Sequence, residues 1–365
     1  MIGIIVSGGL SFLFVIVSTF LGVKFFKSRN IGQNIQEEVV FHEHKKGTPT
    51  MGGIFVILGT IFGFLLSHIN FWTIGRGFEV VLRNVNTDVL GILIISISMG
   101  LVGLIDDYLK VKESRNLGLK AGQKFALQLI AGLVASAYIY SLGYSTKFYI
   151  FSGFGIDIGI FKWVVIVLLM VGITNAVNLT DGLDGLVAGS SCISFAGILV
   201  ISFWIYRHTG YYSQFINESF LTVDISLLIS SISGACLGFL WWNTNPAKII
   251  LGDVGSHFIG ALFPLILISL GAEGSILFFC FLFLMEEASV IIQVSTFKYR
   301  KKRVFKMAPI HHHFEMLNWA ETTIIVRFWI INGIFVVLGL GLFLSLIHIS
   351  EPTRHLSIGG WGVWV

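Results

Sequence analysis

The chain has 365 residues, 55% of them hydrophobic and only 12% charged, with a formal net charge of +4 and a mean hydropathy of +0.85. A water-soluble domain carries about 25% charged residues, so this composition excludes one and points to a polytopic membrane protein. Cys192, Cys236 and Cys280 lie far apart in apolar stretches and have neither the density of a disulfide framework nor the spacing of a zinc site.

Ten apolar runs approach the length of about 20 residues that a bilayer core requires. They fall near residues 4–26, 51–69, 87–105, 123–143, 159–177, 185–206, 224–242, 255–272, 275–297 and 323–346. The runs are continuous rather than alternating, which predicts helices and not a barrel. The expected fold is therefore an all-α polytopic membrane protein with about ten transmembrane helices, forming one domain over residues 1–346. The first run lacks a basic start and is long enough to span, so no cleavable leader is expected.

The connections differ sharply in charge. Those after spans one, three, seven and nine carry Lys27, Arg29, Lys45, Lys46, Lys110, Lys112, Arg115, Lys120, Lys248 and the run KYRKKRVFK (298–306). Those after spans two, four, six and eight carry Arg76, Arg83, Lys147 and Arg207. The excess of positive charge predicts that the first set is cytoplasmic and that both termini face outward.

Five aspartates fall at the cytoplasmic side of this arrangement: Asp106 and Asp107 in GLIDDYLK, Asp181 and Asp184 in TDGLDG, and Asp253 in ILGDVGSH. Acids at membrane depth are costly and usually functional. Lys110 follows Asp106 by four residues and shares its helix face. That spacing fits a capping ion pair, or a site where carboxylates hold Mg²⁺ and a lysine faces phosphate. Asp253 would start a helix, which suits either an N-cap or an anion site. In NAVNLTDGLDGL (175–186), Asn175, Asn178, Asp181 and Asp184 recur every third residue. On a helix this spacing makes a slowly rotating polar stripe, and Gly182 and Gly185 would let the backbone leave the helix. APIHHHFE (308–315) adds His311, His312 and His313 with no zinc-protease spacing, which read as phosphate or pyrophosphate contacts. Glu286 and Glu287 inside the ninth span should face the bundle interior, towards Arg327 or Lys298. The stretch SGFGIDIG (152–159) resembles a dinucleotide-binding loop only loosely, and nothing around it supports one.

Together, KKGTPTMGG (45–53), GLIDDYLK (103–110), NAVNLTDGLDGL (175–186), NPAKIILGDVGS (245–256) and APIHHHFE (308–315) resemble the polyprenyl-phosphate N-acetylhexosamine-1-phosphate transferase superfamily. The triple histidine makes the chain most similar to its phospho-N-acetylmuramoyl-pentapeptide transferase branch, the alternative being the branch that transfers GlcNAc-1-phosphate. The resemblance implies transfer of phospho-N-acetylmuramoyl-pentapeptide from its UDP derivative to undecaprenyl phosphate at the cytoplasmic leaflet of the bacterial inner membrane, with release of UMP. It implies Mg²⁺ as cofactor, ten helices, membrane lipid as surroundings, a possible homodimer and no nucleic-acid partner. Carried over residue by residue, it makes Asp106, Asp107 and Asp253 catalytic, and Asp253 and Asp181 metal-associated. It makes Lys110, Lys124, Asn175, Asn178, Asp181, Asp184, Asn243, Gln293, His311, His312 and His313 substrate-binding.

Departures are Gly122, where many members carry a basic residue that Lys120 could replace, and Ile250, where some have an aromatic able to stack on uracil. Residues 347–365 resemble nothing in the family and are expected to be an artefactual tail. For mechanism, direct attack by the lipid phosphate and a two-step route through a covalent aspartyl intermediate both stand open. An ion-coupled transporter would instead show inverted repeats with acids at mid-membrane, and no repeat stands out.

Overall fold

A computed structural model describes residues 2–29, 32, 47–73, 77–113, 118–151, 154–213, 216 and 223–350. Lys45, Lys46, Arg76, Arg115 and residues 351–365 of the expected tail lie outside the described residues. The chain runs α1 (Ile2–Ser28), α2 (Gly53–Leu66), β1 (Ile69–Thr73), β2 (Gly77–Leu82), α3 (Thr87–Lys112), α4 (Ala121–Ser141), β3 (Lys147–Phe151) and β4 (Phe154–Asp157). It continues with α5 (Phe161–Thr180), α6 (Leu186–Arg207), α7 (Thr209–Tyr212), α8 (Val223–Asn243), α9 (Gly252–Ser269), α10 (Ile276–Phe279), α11 (Phe281–Arg300), α12 (Ile310–Glu315) and α13 (Glu321–Ser350).

The protein is an all-α polytopic membrane protein: among the described residues, eight helices are long and apolar enough to cross a bilayer. Two of the ten expected spans differ. The second is the 14-residue α2, about 21 Å long at 1.5 Å per residue. Its start is fixed by bonds to another loop: Gly52 N–H donates to Ile250 O at 2.9 Å and Gly53 N–H to Leu251 O at 2.8 Å. The ninth is broken, with a bend of 82° between Glu273–Phe279 and Phe281–Arg300. The last helix continues to Ser350, so the first residues of the expected tail prolong it.

Burial orders the bundle from inside to outside. The apolar window of α9 is 89% buried, against 28% for α1 and for α13, so α9 is the axis and those two are lipid-facing. Around it pack α3, α5 and α2, with Phe195 of α6 stacked on Phe263 at 4.1 Å. Cys236 and Cys280 are buried and Cys192 half-buried, all as free thiols.

Two antiparallel hairpins, β1–β2 and β3–β4, were not expected. Residues 154–157 of the glycine-rich stretch form β4, with Gly155 opposite Tyr149, and among the described residues no nucleotide fold surrounds it. Each hairpin sits beside an internal electrostatic tie. Asp224, at the start of α8, accepts from His68 Nε2 at 3.0 Å, the Arg83 guanidinium at 2.6 Å and Asn86 N–H at 2.8 Å. Asn86 in turn caps α3, accepting from Asp88 N–H at 2.9 Å and Val89 N–H at 3.0 Å. Beyond the other hairpin, Lys162 donates to Glu273 and, at 2.5 Å, to Lys147 O, while Tyr149 N–H donates to the other Glu273 oxygen at 3.1 Å.

Lys162 and Glu273 are each 1% exposed, so removing one strands the other. Lys162→Ala is expected to lower stability by about 3–5 kcal/mol, read as thermal unfolding of the detergent-solubilised protein. The double change Lys162→Met with Glu273→Leu should recover most of that loss, and a harmless single change would contradict this account.

Candidate active site

The site begins with how α9 begins. Loop 49–53 and loop 249–251 are joined backbone to backbone, with Ile250 N–H donating to Pro49 O at 2.8 Å. Gly252 then turns the chain with φ +76°, a conformation side chains other than glycine disfavour, and a Cβ there would stand 2.5 Å from Asp107 Oδ2. Across from it, Gly103 of α3 lies so close that a Cβ would meet Asp253 O at 2.1 Å. This approach lets Asp107 Oδ2 accept from Val254 N–H at 3.1 Å, so α3 caps the positive end of α9.

Asp106, Asp107 and Asp253 thereby bring carboxylate oxygens within 4.8 Å of one another. Two lysines bind among them. Lys110 Nζ lies 2.6 Å from Asp106 Oδ2, 2.9 Å from Asp253 Oδ2 and 3.8 Å from Asp107 Oδ1. Lys124 Nζ lies 2.6 Å from Asp253 Oδ2 and 3.8 Å from Asp106 Oδ2. The expected pair of Asp106 with Lys110 forms, yet it is more than a helix cap, because the ammonium crosses to α9. Asp106 Oδ1 also accepts from Leu119 N–H at 2.7 Å, which draws in the start of α4.

The polar row of 175–186 divides. Asn175 and Asn178 stay on α5, which ends at Thr180; Asp181 follows it, and Asp184 lies in the turn that Gly185 closes with φ +81°. The continuous helical stripe expected from the spacing is therefore broken after its two amides. With its amide turned to the orientation that satisfies both ends, Asn178 donates its N–H groups to Asp253 Oδ1 and Ser256 Oγ at 2.9 Å each, and its oxygen accepts from Lys124 Nζ at 3.3 Å. Asp181 Oδ2 accepts from Gly252 N–H at 3.1 Å. Burial, with the charges of Asp253 and Asp107 adding to it, pushes its carboxyl up to about 8. Asp184 faces elsewhere: its Oδ2 accepts from Ala247 N–H at 2.9 Å and holds the 245–247 loop. Asn175 points one turn deeper, to Gln128.

The other expected contacts are spent on local structure. Asn243 Nδ2 donates to Ile249 O at 2.9 Å, and Gln293 uses both ends of its amide on Val304 and Phe305. His311 is buried, with Nδ1 3.1 Å from Glu286 Oε2. The missing side chain of Gly182 makes room for it, since a Cβ there would meet His311 Nε2 at 2.3 Å. The HHH segment and the 175–186 segment thus pack directly together. His312 Nδ1 lies 2.5 Å from Glu315 Oε2, and His313 Nδ1 accepts from Lys306 N–H at 3.1 Å. The partner expected for Glu286 is corrected: α12 folds back on α11 and supplies His311. Exposed Arg327 instead lies 4.3 Å over Trp319, and Lys298 lies 5.9 Å over Tyr299.

The sequence reading missed Ser256, Gln128 and His257. Gln128 and His257 stand four residues after Lys124 and Asp253, so helical spacing from those two was the available signal. At the noted departures, Gly122 borders open space, Lys120 precedes α4, and Ile250 contributes its backbone to the 49–53 pairing.

Four carboxylates (Asp106, Asp107, Asp181, Asp253) face two ammonium groups (Lys110, Lys124), so full ionisation leaves negative charge uncompensated. Hard oxygen donors with that imbalance fit a divalent cation such as Mg²⁺, which takes one or two carboxylates and shares the rest of its shell with phosphate and water. The metal-associated pair expected from sequence is Asp253 with Asp181; the carboxylates that cluster within 4.8 Å are Asp253 with Asp106 and Asp107.

A helical membrane bundle with acids and lysines converging on one helix start defines a membrane enzyme acting on phosphates, and the comparisons are specific. Residues 89–271 match glycosyl transferase family 4, and the chain belongs to that family. It is 39% identical to the phospho-N-acetylmuramoyl-pentapeptide-transferase of Frankia alni, over 93% of this chain and 97% of that protein. The proteins of the same name from Nocardia farcinica and Streptomyces griseus are each 38% identical, covering 88% and 93% of this chain and 92% and 97% of theirs. The chain is thus a multi-pass bacterial membrane protein.

Gly252→Ala should push Asp107 off the start of α9. It is expected to lower turnover at least about tenfold, in line with misplacements near 1 Å, while the protein still inserts and purifies as a monodisperse species. Unchanged turnover would show that the left-handed turn is not needed.

Proposed function

We propose that the chain transfers phospho-N-acetylmuramoyl-pentapeptide from its UDP derivative to undecaprenyl phosphate, giving lipid I and UMP. One observation carries this reading: two lysines bind three clustered carboxylates at the start of a buried helix, in a member of this transferase family. The acceptor is a phosphate monoester whose second pKa is about 6, by analogy with phosphorylated side chains, so at neutral pH it is mostly dianionic and already nucleophilic. Its oxygen attacks the sugar-bearing phosphorus of the donor; the new P–O bond forms as the pyrophosphate P–O bond breaks, and UMP departs. Such transfers depend on alignment and charge neutralisation.

Lys110 and Lys124 supply that neutralisation, exchanging carboxylate contacts for phosphate oxygens. Asp106, held by Leu119 N–H, orients the acceptor. Asp253, aided by Asp106, Asp107 or Asp181, would hold Mg²⁺, which when bound contributes Lewis-acid neutralisation of the pyrophosphate. Burial and the neighbouring acids raise the carboxyl of Asp181, and a bound cation would favour its ionised form.

The same proposal places the site at the cytoplasmic face of the inner membrane, with ten crossings, outward termini and pairing of two copies. Lys112, Lys120, Lys248 and Lys298, on or next to the elements that build the site, support that orientation.

The test is UMP release by purified protein with undecaprenyl phosphate, Mg²⁺ and each UDP-sugar. Turnover is expected with UDP-N-acetylmuramoyl-pentapeptide and not with UDP-GlcNAc; the reverse would assign the chain to the GlcNAc-1-phosphate branch. Asp253→Asn and Asp106→Asn should abolish turnover, and a chelator should stop it until Mg²⁺ is returned. Near-normal rates in either variant would remove that residue from its role.

A further inference from the structure

Beneath the carboxylates lies a second set of polar side chains that the reaction above does not use. On α4, Gln128 follows Lys124 by one turn; on α9, His257 follows Asp253 by one turn; on α5, Asn175 precedes Asn178 by one turn. Residues three or four apart share a helix face, so each helix offers its two members to the same neighbours at two depths. The upper three bond to one another, with Lys124 2.6 Å from Asp253 and Asn178 bridging both at 2.9 and 3.3 Å. The lower three form an open triangle centred on Gln128, with two of its three sides bonded. Gln128 Nε2 donates to Asn175 Oδ1 at 3.1 Å and to His257 Nε2 at 3.0 Å, and Gln128 Oε1 accepts from Asn175 Nδ2 at 3.2 Å. The remaining Asn175 N–H goes to Val171 O at 3.0 Å.

Gln128 is 1% and His257 0% exposed and Asn175 is half-buried, so this triangle lies mostly in the interior, with both N–H groups and the oxygen of the Gln128 amide bonded. Apolar side chains would fill the same space without any desolvation cost. What they lack is direction: apolar contact tolerates rotation of a helix about its axis, whereas hydrogen bonds of fixed geometry do not. His257 can accept from Gln128 only with its ring proton on Nδ1, which fixes the tautomer as well.

We propose that Gln128, His257 and Asn175 are positioning residues that lock the rotations of α4, α5 and α9, so that Lys124, Asn178 and Asp253 converge on the reacting phosphates. They act through the residues one turn above, and Asn175, which the resemblance makes substrate-binding, acts here through its bonds to Gln128. The inference rests on the transferase reading for its assay, while the triangle itself is independent of which sugar is carried.

The test compares His257→Leu and Gln128→Met, which keep volume and remove the bonds, with His257→Gln, which keeps an acceptor at similar reach. Turnover, KM for UDP-N-acetylmuramoyl-pentapeptide and Tm are measured together in the UMP-release assay. The Leu and Met variants should lose about tenfold or more in kcat, the scale of a small misplacement, with KM within about threefold. Their Tm should fall, because each change leaves buried partners unpaired, but kcat measured well below that Tm should fall alike in both variants whatever the size of the Tm shift, and His257→Gln should keep kcat within about threefold. Leu and Met variants as fast as the parent would overturn the proposal. So would a His257→Gln variant as slow as His257→Leu, or a loss of kcat that follows loss of Tm across the set, which is the mark of plain packing. If His257→Leu does not fold, the nearly isosteric Gln128→Met decides. An inactive parent protein would count against the transferase reading; an active parent with unaffected variants counts against the positioning triangle.

Discussion

Asp253 Oδ2 accepts from two lysines at once, Lys110 at 2.9 Å and Lys124 at 2.6 Å, and the site is arranged around that shared oxygen. A carboxylate at the start of α9 is favoured by the helix dipole, and the two ammonium groups hold it ionised. Around it gather more acids than those lysines can neutralise. Burying such an excess is costly unless a cation or a proton joins it. The raised carboxyl of Asp181 is the proton solution; the proposed divalent cation, with an anionic substrate, would be the other.

The rest of the bundle can be understood as what holds α9 still. It is the most buried of the spans. Its first turn is strapped by loop 49–53, capped by Asp107 and approached by Gly103. At the far end, Tyr144 Oη donates to Ser269 O at 2.6 Å, and Lys162 with Glu273 fixes the chain just beyond. Rigid support at both ends suits a site that works by alignment rather than by a proton-transfer residue of unusual strength.

Much of this was legible in the sequence, because membrane spans and helical spacing are local properties. The apolar runs located every crossing helix, and the spacing of Asp106 to Lys110 gave their contact. The failures are where tertiary partners decide. The expected second span shortened to α2 because Gly52 and Gly53 pair with residues 250 and 251, far along the chain. The row from Asn175 to Asp184 suggested one stripe, yet the helix ends at Thr180 and Asp184 turns to Ala247. Glu286 found His311 rather than a basic side chain because α12 folds back, which no periodicity encodes. Gln128 and His257 lie within reach of the i to i+4 rule from Lys124 and Asp253, but each taken singly is one polar residue in an apolar helix.

The divalent-cation site proposed where excess carboxylate gathers at the start of α9 is centred on Asp253. Equilibrium binding of Mn²⁺, followed by electron paramagnetic resonance on the purified full-length protein, tests it without reference to turnover. One saturable site is predicted in the parent protein, and its loss in Asp253→Asn. Binding of undiminished affinity in Asp253→Asn would contradict the claim.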